Sequence, residues 1–227
     1  MSDFESEHIA LVEQRESVLF EIERVLFTKR YKMSKKHLEI FTVQSIAMIY
    51  SLWEGFVQES FQMYIQYINS LFIDFNQLSR EIVVFHMDNQ YKQFYNYPTK
   101  INGKINFYES LAEHFMHEYH EIYPRIDTES NVSFEVINKL LKQFSLKEFP
   151  EYWGSYQYPN TSLKQIMSTF LRYRNGIAHG GDITSEEKVT RDVFVRYKKL
   201  IIDLMYEMHD KFMYGINERT YLRESGS

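Results

Sequence analysis

The sequence predicts an all-α fold, and three observations carry that prediction. The 227-residue chain holds only 8 glycines and 4 prolines, too few for a protein built from many strands and tight turns. Apolar residues recur every three or four positions over long stretches, the period of a helix with one buried face. Hydrophobic residues make up 44% and aromatics 17%, enough for the core of one large domain or two small ones.

Residues 3–28 read as the first helix, with Leu11, Val18, Ile22, Val25 and Leu26 at helical spacing and acidic residues in its early turns. A second, long helix is expected from about Ser34 to Phe72. There Val43, Ile46, Tyr50, Trp53, Val57, Phe61, Tyr64 and Ile68 give the strongest periodic signal in the chain. A third is expected over 75–96, a loop over Thr99 to Lys104, and a fourth helix over 105–122. Ser133 caps a short helix to Phe144. Ser162 opens a helix to His179, which Gly180-Gly181 stops, and the last helix spans 185–216. The whole reads as one domain over 1–220: a bundle of residues 3–73 and 161–217, with a helical insertion over about 74–160. Residues 221–227 are expected to be a disordered tail.

Net charge is −5, so any contact with nucleic acid must use a local basic patch and be salt-sensitive. The absence of cysteine excludes disulfides, Cys-zinc sites and thiol catalysis. The acidic start, Met1-Ser2-Asp3-Phe4-Glu5, lacks the basic-then-apolar pattern of a signal peptide. No uninterrupted apolar run approaches the roughly 20 residues needed to span a bilayer. The expectation is a cytoplasmic protein with no membrane partner.

Chemistry concentrates at Arg172 to His179. On the helix opened by Ser162, the apolar stripe is Leu163, Ile166, Met167, Phe170 and Ile177, and Arg174 falls on it. An arginine there needs a partner. Gly176 is a costly residue inside a helix, which suggests a close approach by another helix or a ligand. Glu54 raises the matching question, because it lies on the apolar face of Tyr50-Ser51-Leu52-Trp53-Glu54-Gly55-Phe56-Val57. Glu54 is therefore expected to approach an arginine of 172–174. From these residues alone, a Glu–Arg pair that fixes helix register, with His179 a plain helix-end histidine, stands beside any catalytic reading.

The run Leu171-Arg172-Tyr173-Arg174-Asn175-Gly176-Ile177-Ala178-His179-Gly180 resembles the Arg-x(4–6)-His motif of the HEPN superfamily. The segment from Tyr50 to Val57 is similar to the aromatic, Glu-Gly-Phe segment of its toxin-like branches. The order of the two motifs along the chain also fits. The resemblance implies a HEPN-type bundle that dimerises and brings two motif helices to one cleft. It implies metal-independent cleavage of RNA, tRNA among the candidates, to 2′,3′-cyclic phosphate ends, with no cofactor. Arg174 and His179 would be catalytic with Asn175; Glu54 and Arg172 would support them. Arg172 remains a rival for Arg174, because it shares a helical face with His179, seven residues on. A toxin of this kind implies a neutralising or sensing partner protein. The tyrosine that such toxins often carry two residues after the histidine, as a modification target, is Gly181 here. The alternative is a catalytically inactive HEPN module that binds nucleotide or a protein partner.

Lys29, Arg30, Lys32, Lys35 and Lys36 form the densest basic cluster, a candidate grip on RNA phosphates with Tyr31 available to stack on a base. A solvated turn between helices explains the same residues. Lys188, Arg191, Arg196, Lys198 and Lys199 are a second basic candidate. His114, His117, Glu118, His120 and Glu121 show helical metal-ligand spacing, but no second Glu-x-x-His completes a bundle site, so no metal is expected.

Overall fold

A computed structural model describes residues 3–129, 131–154, 162–178 and 189–223. Among them are seven α-helices and no strand: α1 (Asp3–Phe27), α2 (Lys35–Ser70), α3 (Arg80–Gln90), α4 (Ile101–Met116), α5 (Phe134–Gln143), α6 (Leu163–Ala178) and α7 (Arg191–Asn217). The fold is all-α. α2, at 36 residues, is the axis against which α1, α6 and α7 pack. Its start is fixed by Ser34, whose Oγ accepts from the His37 N–H at 3.2 Å.

The core is aromatic. Phe212 of α7 is fully buried, and Phe4, His8, Phe61 and Tyr64 close around its ring at centroid distances of 5.1–6.1 Å. α1 and α7 run antiparallel. Phe27 packs on Phe194 at one end and His8 stacks on His209 at the other. Among the described residues α2 is long and apolar enough to cross a membrane by length and composition. In the bundle its Ile46, Trp53, Phe56 and Phe61 are fully buried against the neighbouring helices, which is what a long core helix requires.

Several expected boundaries are corrected. The expected helix over 75–96 is three pieces: a 3-10 turn at Phe75–Gln77, α3, and a second 3-10 turn at Lys92–Phe94. Asp74 and Ser79 each cap a new start through their side chains, and two caps so close together break the chain into short units. α4 begins at Ile101, inside the expected loop; Gly103 fits there because a Cβ would lie 3.0 Å from the Pro98 Cβ. It ends at Met116, because the chain turns extended at His117 and folds back to lay the His120 ring on His114, centroids 3.5 Å apart. Residues 221–223 are ordered, not a tail. Tyr221 is buried, its carbonyl accepts from the Ser79 N–H at 2.8 Å, and the Arg223 N–H donates to the Gln77 carbonyl at 2.7 Å. α7 starts at Arg191, with Thr190 Oγ1 accepting from the Val193 N–H. The expected starting point at 185 and the tail beyond 223 lie outside the described residues.

Buried histidines make stability depend on pH. Burial, then the nearby His209, holds His8 down at about 3. Burial, then neighbouring histidines, holds His86 and His114 at about 4: His114 and His120 act on His86, and His120 and His117 act on His114. An unfolded histidine titrates near 6.5, so between that value and about 4 the unfolded chain binds protons that the folded chain refuses. Stability is therefore complete above pH 7 and is lost as pH falls through 6.5 toward 4. Thermal melts between pH 7.5 and 5.5, above the range where most carboxylates titrate, should show a steady fall. A flat profile there would contradict the assignment.

Candidate active site

Tyr50 organises the site. It is buried on α2, with its ring edge-on to Phe170 of α6 at 5.6 Å. Its hydroxyl oxygen accepts from the Val132 N–H at 2.7 Å. Burial pushes this hydroxyl up to about 12; the Val132 hydrogen bond opposes that, the Glu54 charge adds to it and the Arg174 charge works against it. Tyr50 is therefore a neutral platform at any ordinary pH.

Arg174 sits on that platform. Its guanidinium lies over the Tyr50 ring, 5.0 Å from the centroid. Nη1 donates to Asn175 Oδ1 at 3.0 Å and to Asn131 Oδ1 at 3.5 Å. The side chain is half-buried: one face is on the aromatic ring, one nitrogen is tied to amides, and among the described residues no carboxylate pairs with it. Such a cation is positioned and still available to an anion.

Glu54 and Arg174 meet across Tyr50 rather than in an ion pair. Among the described residues no ion pair joins Glu54 to Arg174. Both flank Tyr50, since their charges act on its hydroxyl in opposite senses, but the guanidinium meets the ring and the amides instead. Glu54 is only half-buried, so water can solvate it and it does not require a cation. Arg172 points to the exposed side of α6. His179 lies outside the described residues, so its distance to either arginine is not part of this geometry.

The close helix expected at Gly176 is not found among the described residues, where a Cβ built there meets nothing within 4 Å. Gly176→Ala is thus expected to stabilise the folded chain by up to about 1 kcal/mol, raising the melting temperature by about 2–4 °C. A lowered melting temperature in a thermal scan would contradict this.

The direction of α6 places its C-terminal end. Its first residue, Leu163, donates its N–H to the Glu151 carbonyl, three residues from the Glu148 carbonyl and Phe149 ring that meet Lys211 far along α7. α6 then passes Tyr197, near the start of α7, with Phe170 and Tyr173. It therefore climbs toward the pole of the bundle where α1 ends, α2 begins and α7 begins. The Arg191 guanidinium lies over the Phe27 ring at that pole, 5.3 Å from its centroid. The turn carrying Lys29, Arg30 and Lys32 follows Phe27 directly, and Lys35 and Lys36 open α2; all five are exposed. The second basic candidate divides. Lys198 is buried in an ion pair with Glu23, Lys199 is paired with Asp203 at 2.7 Å, and Lys188 lies outside the described residues.

The histidine-rich segment sits far from this pole. His86, His114 and His120 cluster around Phe75. His86 Nδ1 accepts from the Tyr123 N–H, and His120 Nε2 bonds the His114 carbonyl. Because α4 ends at Met116, Glu118 and Glu121 do not share a helical face with the histidines, and no metal-holding group of His, Asp or Glu forms among the described residues. Two parts of the arginine site escaped the sequence reading. Tyr50 carried a signal, as the aromatic residue one turn before Glu54. Asn131 carried none, since only folding brings it from 43 residues away.

A family model described as HEPN_MAE_28990-like HEPN matches residues 9–221. The chain belongs to this HEPN family. No curated protein and no solved structure matches the chain. The HEPN match runs from α1 through Tyr221, so it takes in the bundle, the middle helices and the closing turn together.

Proposed function

We propose that this HEPN domain is a metal-independent endoribonuclease of the toxin–antitoxin or phage-defence kind, acting as a homodimer in the cytoplasm. The observation that carries the proposal is Arg174: a half-buried guanidinium held by Tyr50, Asn175 and Asn131, with no carboxylate paired to it among the described residues. Such a group suits charge developing on a phosphoryl oxygen. In this reading the ribose 2′-oxygen attacks phosphorus and loses its proton to a base. The bond from phosphorus to the 5′-oxygen breaks as that oxygen gains a proton, leaving a 2′,3′-cyclic phosphate and a 5′-hydroxyl. His179, five residues after Arg174, moves these protons, because imidazole titrates near neutral pH. Asn175 keeps the guanidinium aligned, and Arg172 and Glu54 support the site.

The basic pole supports RNA as the substrate, tRNA included. Lys35 and Lys36 stand in the first turn of α2, which carries no acidic residue. Cations there oppose the helix dipole, and a bound phosphate chain relieves that cost. Among the described residues nothing lies within 4 Å of a Cβ built at Gly176, which is compatible with the approach of a second motif helix or a substrate strand. A nuclease of this kind needs restraint, so a neutralising or sensing partner belongs to the proposal.

The test is incubation of the protein with total RNA and with tRNA in EDTA, beside His179→Ala. Cleavage by the wild type alone, with cyclic phosphate ends, is expected. Intact RNA at high protein concentration would instead favour a silent HEPN module that binds nucleotide or a protein partner.

A further inference from the structure

A guanidinium carries hydrogens and no acceptor, so it meets a carboxamide only through the amide oxygen. Arg174 Nη1 donates to Asn175 Oδ1 and to Asn131 Oδ1, which uses both of its hydrogens and fixes the way both amides point. Each Nδ2 is left as a donor turned away from Nη1. Among the described residues no oxygen accepts from either Nδ2, and neither nitrogen is sealed from solvent. The Nε–Nη2 edge of Arg174 is equally uncommitted among them.

The backbone around Asn131 is fixed on both sides. Its N–H donates to the Thr128 carbonyl at 2.9 Å, and its carbonyl accepts from the Ser133 N–H at 3.0 Å. Val132 is buried and donates to the Tyr50 hydroxyl, and Ser133 Oγ caps α5 by accepting from the Val136 N–H at 3.1 Å. Gln58 of α2 donates to the Thr128 hydroxyl at 3.2 Å. Tyr50 thus carries the guanidinium on its ring and, through its hydroxyl, the loop that brings Asn131 to it.

We infer that Asn131 is a substrate-binding residue, whose amide nitrogen donates to the RNA phosphate that Arg174 holds. This rests on the reading of Arg174 as the phosphate-binding group. The oxygen and nitrogen of one carboxamide are about 2.3 Å apart, so Nδ2 lies within about 6 Å of Nη1, a gap that one phosphodiester group bridges. The Nε–Nη2 edge suits paired phosphate oxygens, and Nδ2 adds a donor beside it. The residue type supports a contact rather than a brace alone. Aspartate at 131 would hold Arg174 more tightly, but it would neutralise the cation and turn a negative charge toward the phosphate. Asparagine braces with its oxygen, leaves the positive charge whole and offers hydrogens.

Asn131→Asp separates the two roles, because it keeps the oxygen that Arg174 needs and removes the N–H donors. The probe is a fluorescent, mixed-sequence 2′-O-methyl RNA oligonucleotide, which has the phosphates but no attacking hydroxyl. Binding is read by fluorescence anisotropy at low salt in EDTA. Asn131→Asp is expected to bind at least about tenfold more weakly than the wild type. Its melting temperature should be equal or higher, since aspartate pairs with Arg174 and suits the start of α5. Asn131→Ala, which loses the donor without adding a charge, should bind with an affinity between the two. Asn76→Asp, at an exposed position beyond the far end of α2, adds the same charge and should bind like the wild type. Equal binding by Asn131→Asp and the wild type overturns the inference. So does equal weakening by Asn76→Asp, or no binding by the wild type. Cleavage of total RNA is read separately. Binding that depends on Asn131, without cleavage by the wild type, keeps this inference and overturns the nuclease reading; cleavage with binding insensitive to Asn131 does the reverse.

Discussion

Arg174→Ala is expected to lower RNA cleavage by about 10²–10³-fold, the usual cost of removing one positioned donor from a developing charge. The fold should survive. Arg174 is half-buried, and the substitution removes one cation–ring contact and two hydrogen bonds to amides that water can replace. A loss of melting temperature of a few degrees at most is expected, measured by circular dichroism beside the cleavage assay. Arg174→Lys separates charge from shape. Lysine keeps the charge but not the planar pair of donors, so it should recover only a small part of the rate. Cleavage at the wild-type rate in Arg174→Ala, with the fold intact, would remove Arg174 from the chemistry and pass the role to Arg172.

The largest effect on stability is expected at Phe212. Its ring is fully buried and joins three helices, with Phe4 and His8 from α1 and Phe61 and Tyr64 from α2 around it. Truncation to alanine leaves a cavity that these rigid rings cannot fill by small rotations. A loss of about 3–5 kcal/mol follows, equivalent to a fall in melting temperature on the order of 10 °C for a chain of this size. Phe212→Leu, which retains most of the volume, should cost less than half as much. Denaturant unfolding of both variants reads the difference directly. A cost below about 1 kcal/mol for Phe212→Ala would mean that the aromatic cluster is not the centre of the core.

What the sequence revealed follows from where the forces are local. The period of α2 was legible from Ile46 to Ile68 because each of those residues is set by its own helical neighbours and one buried face. The same logic marked Arg174 as an oddity on an apolar stripe. It could not name its partners. A guanidinium on a seam can be satisfied by an aromatic face and by amide oxygens as well as by a carboxylate. The choice of Tyr50 and Asn131 depends on how α2 and the loop before α5 meet. The middle of the chain was read least accurately for a related reason. The end of α4 is set by the stacking of His114 on His120 and by a hydrogen bond from Phe75 to Glu118, contacts that no periodicity encodes. The terminal residues differ from the expected tail because Tyr221 to Arg223 are ordered by the Gln77–Ser79 backbone and the Tyr67 ring, both far away in sequence.

Tyr67 touches both chain ends, with Phe4 at 5.8 Å and Tyr221 at 6.3 Å between ring centroids. The molecule is thus shaped like a hairpin whose two open ends share one foot, and the motif helix points to the opposite tip. Phe4 and Tyr221 therefore lie 17 residues of α2, roughly 25 Å, from the Tyr50 ring on which Arg174 rests, so a polypeptide joined at either one starts about half of α2 away from the guanidinium.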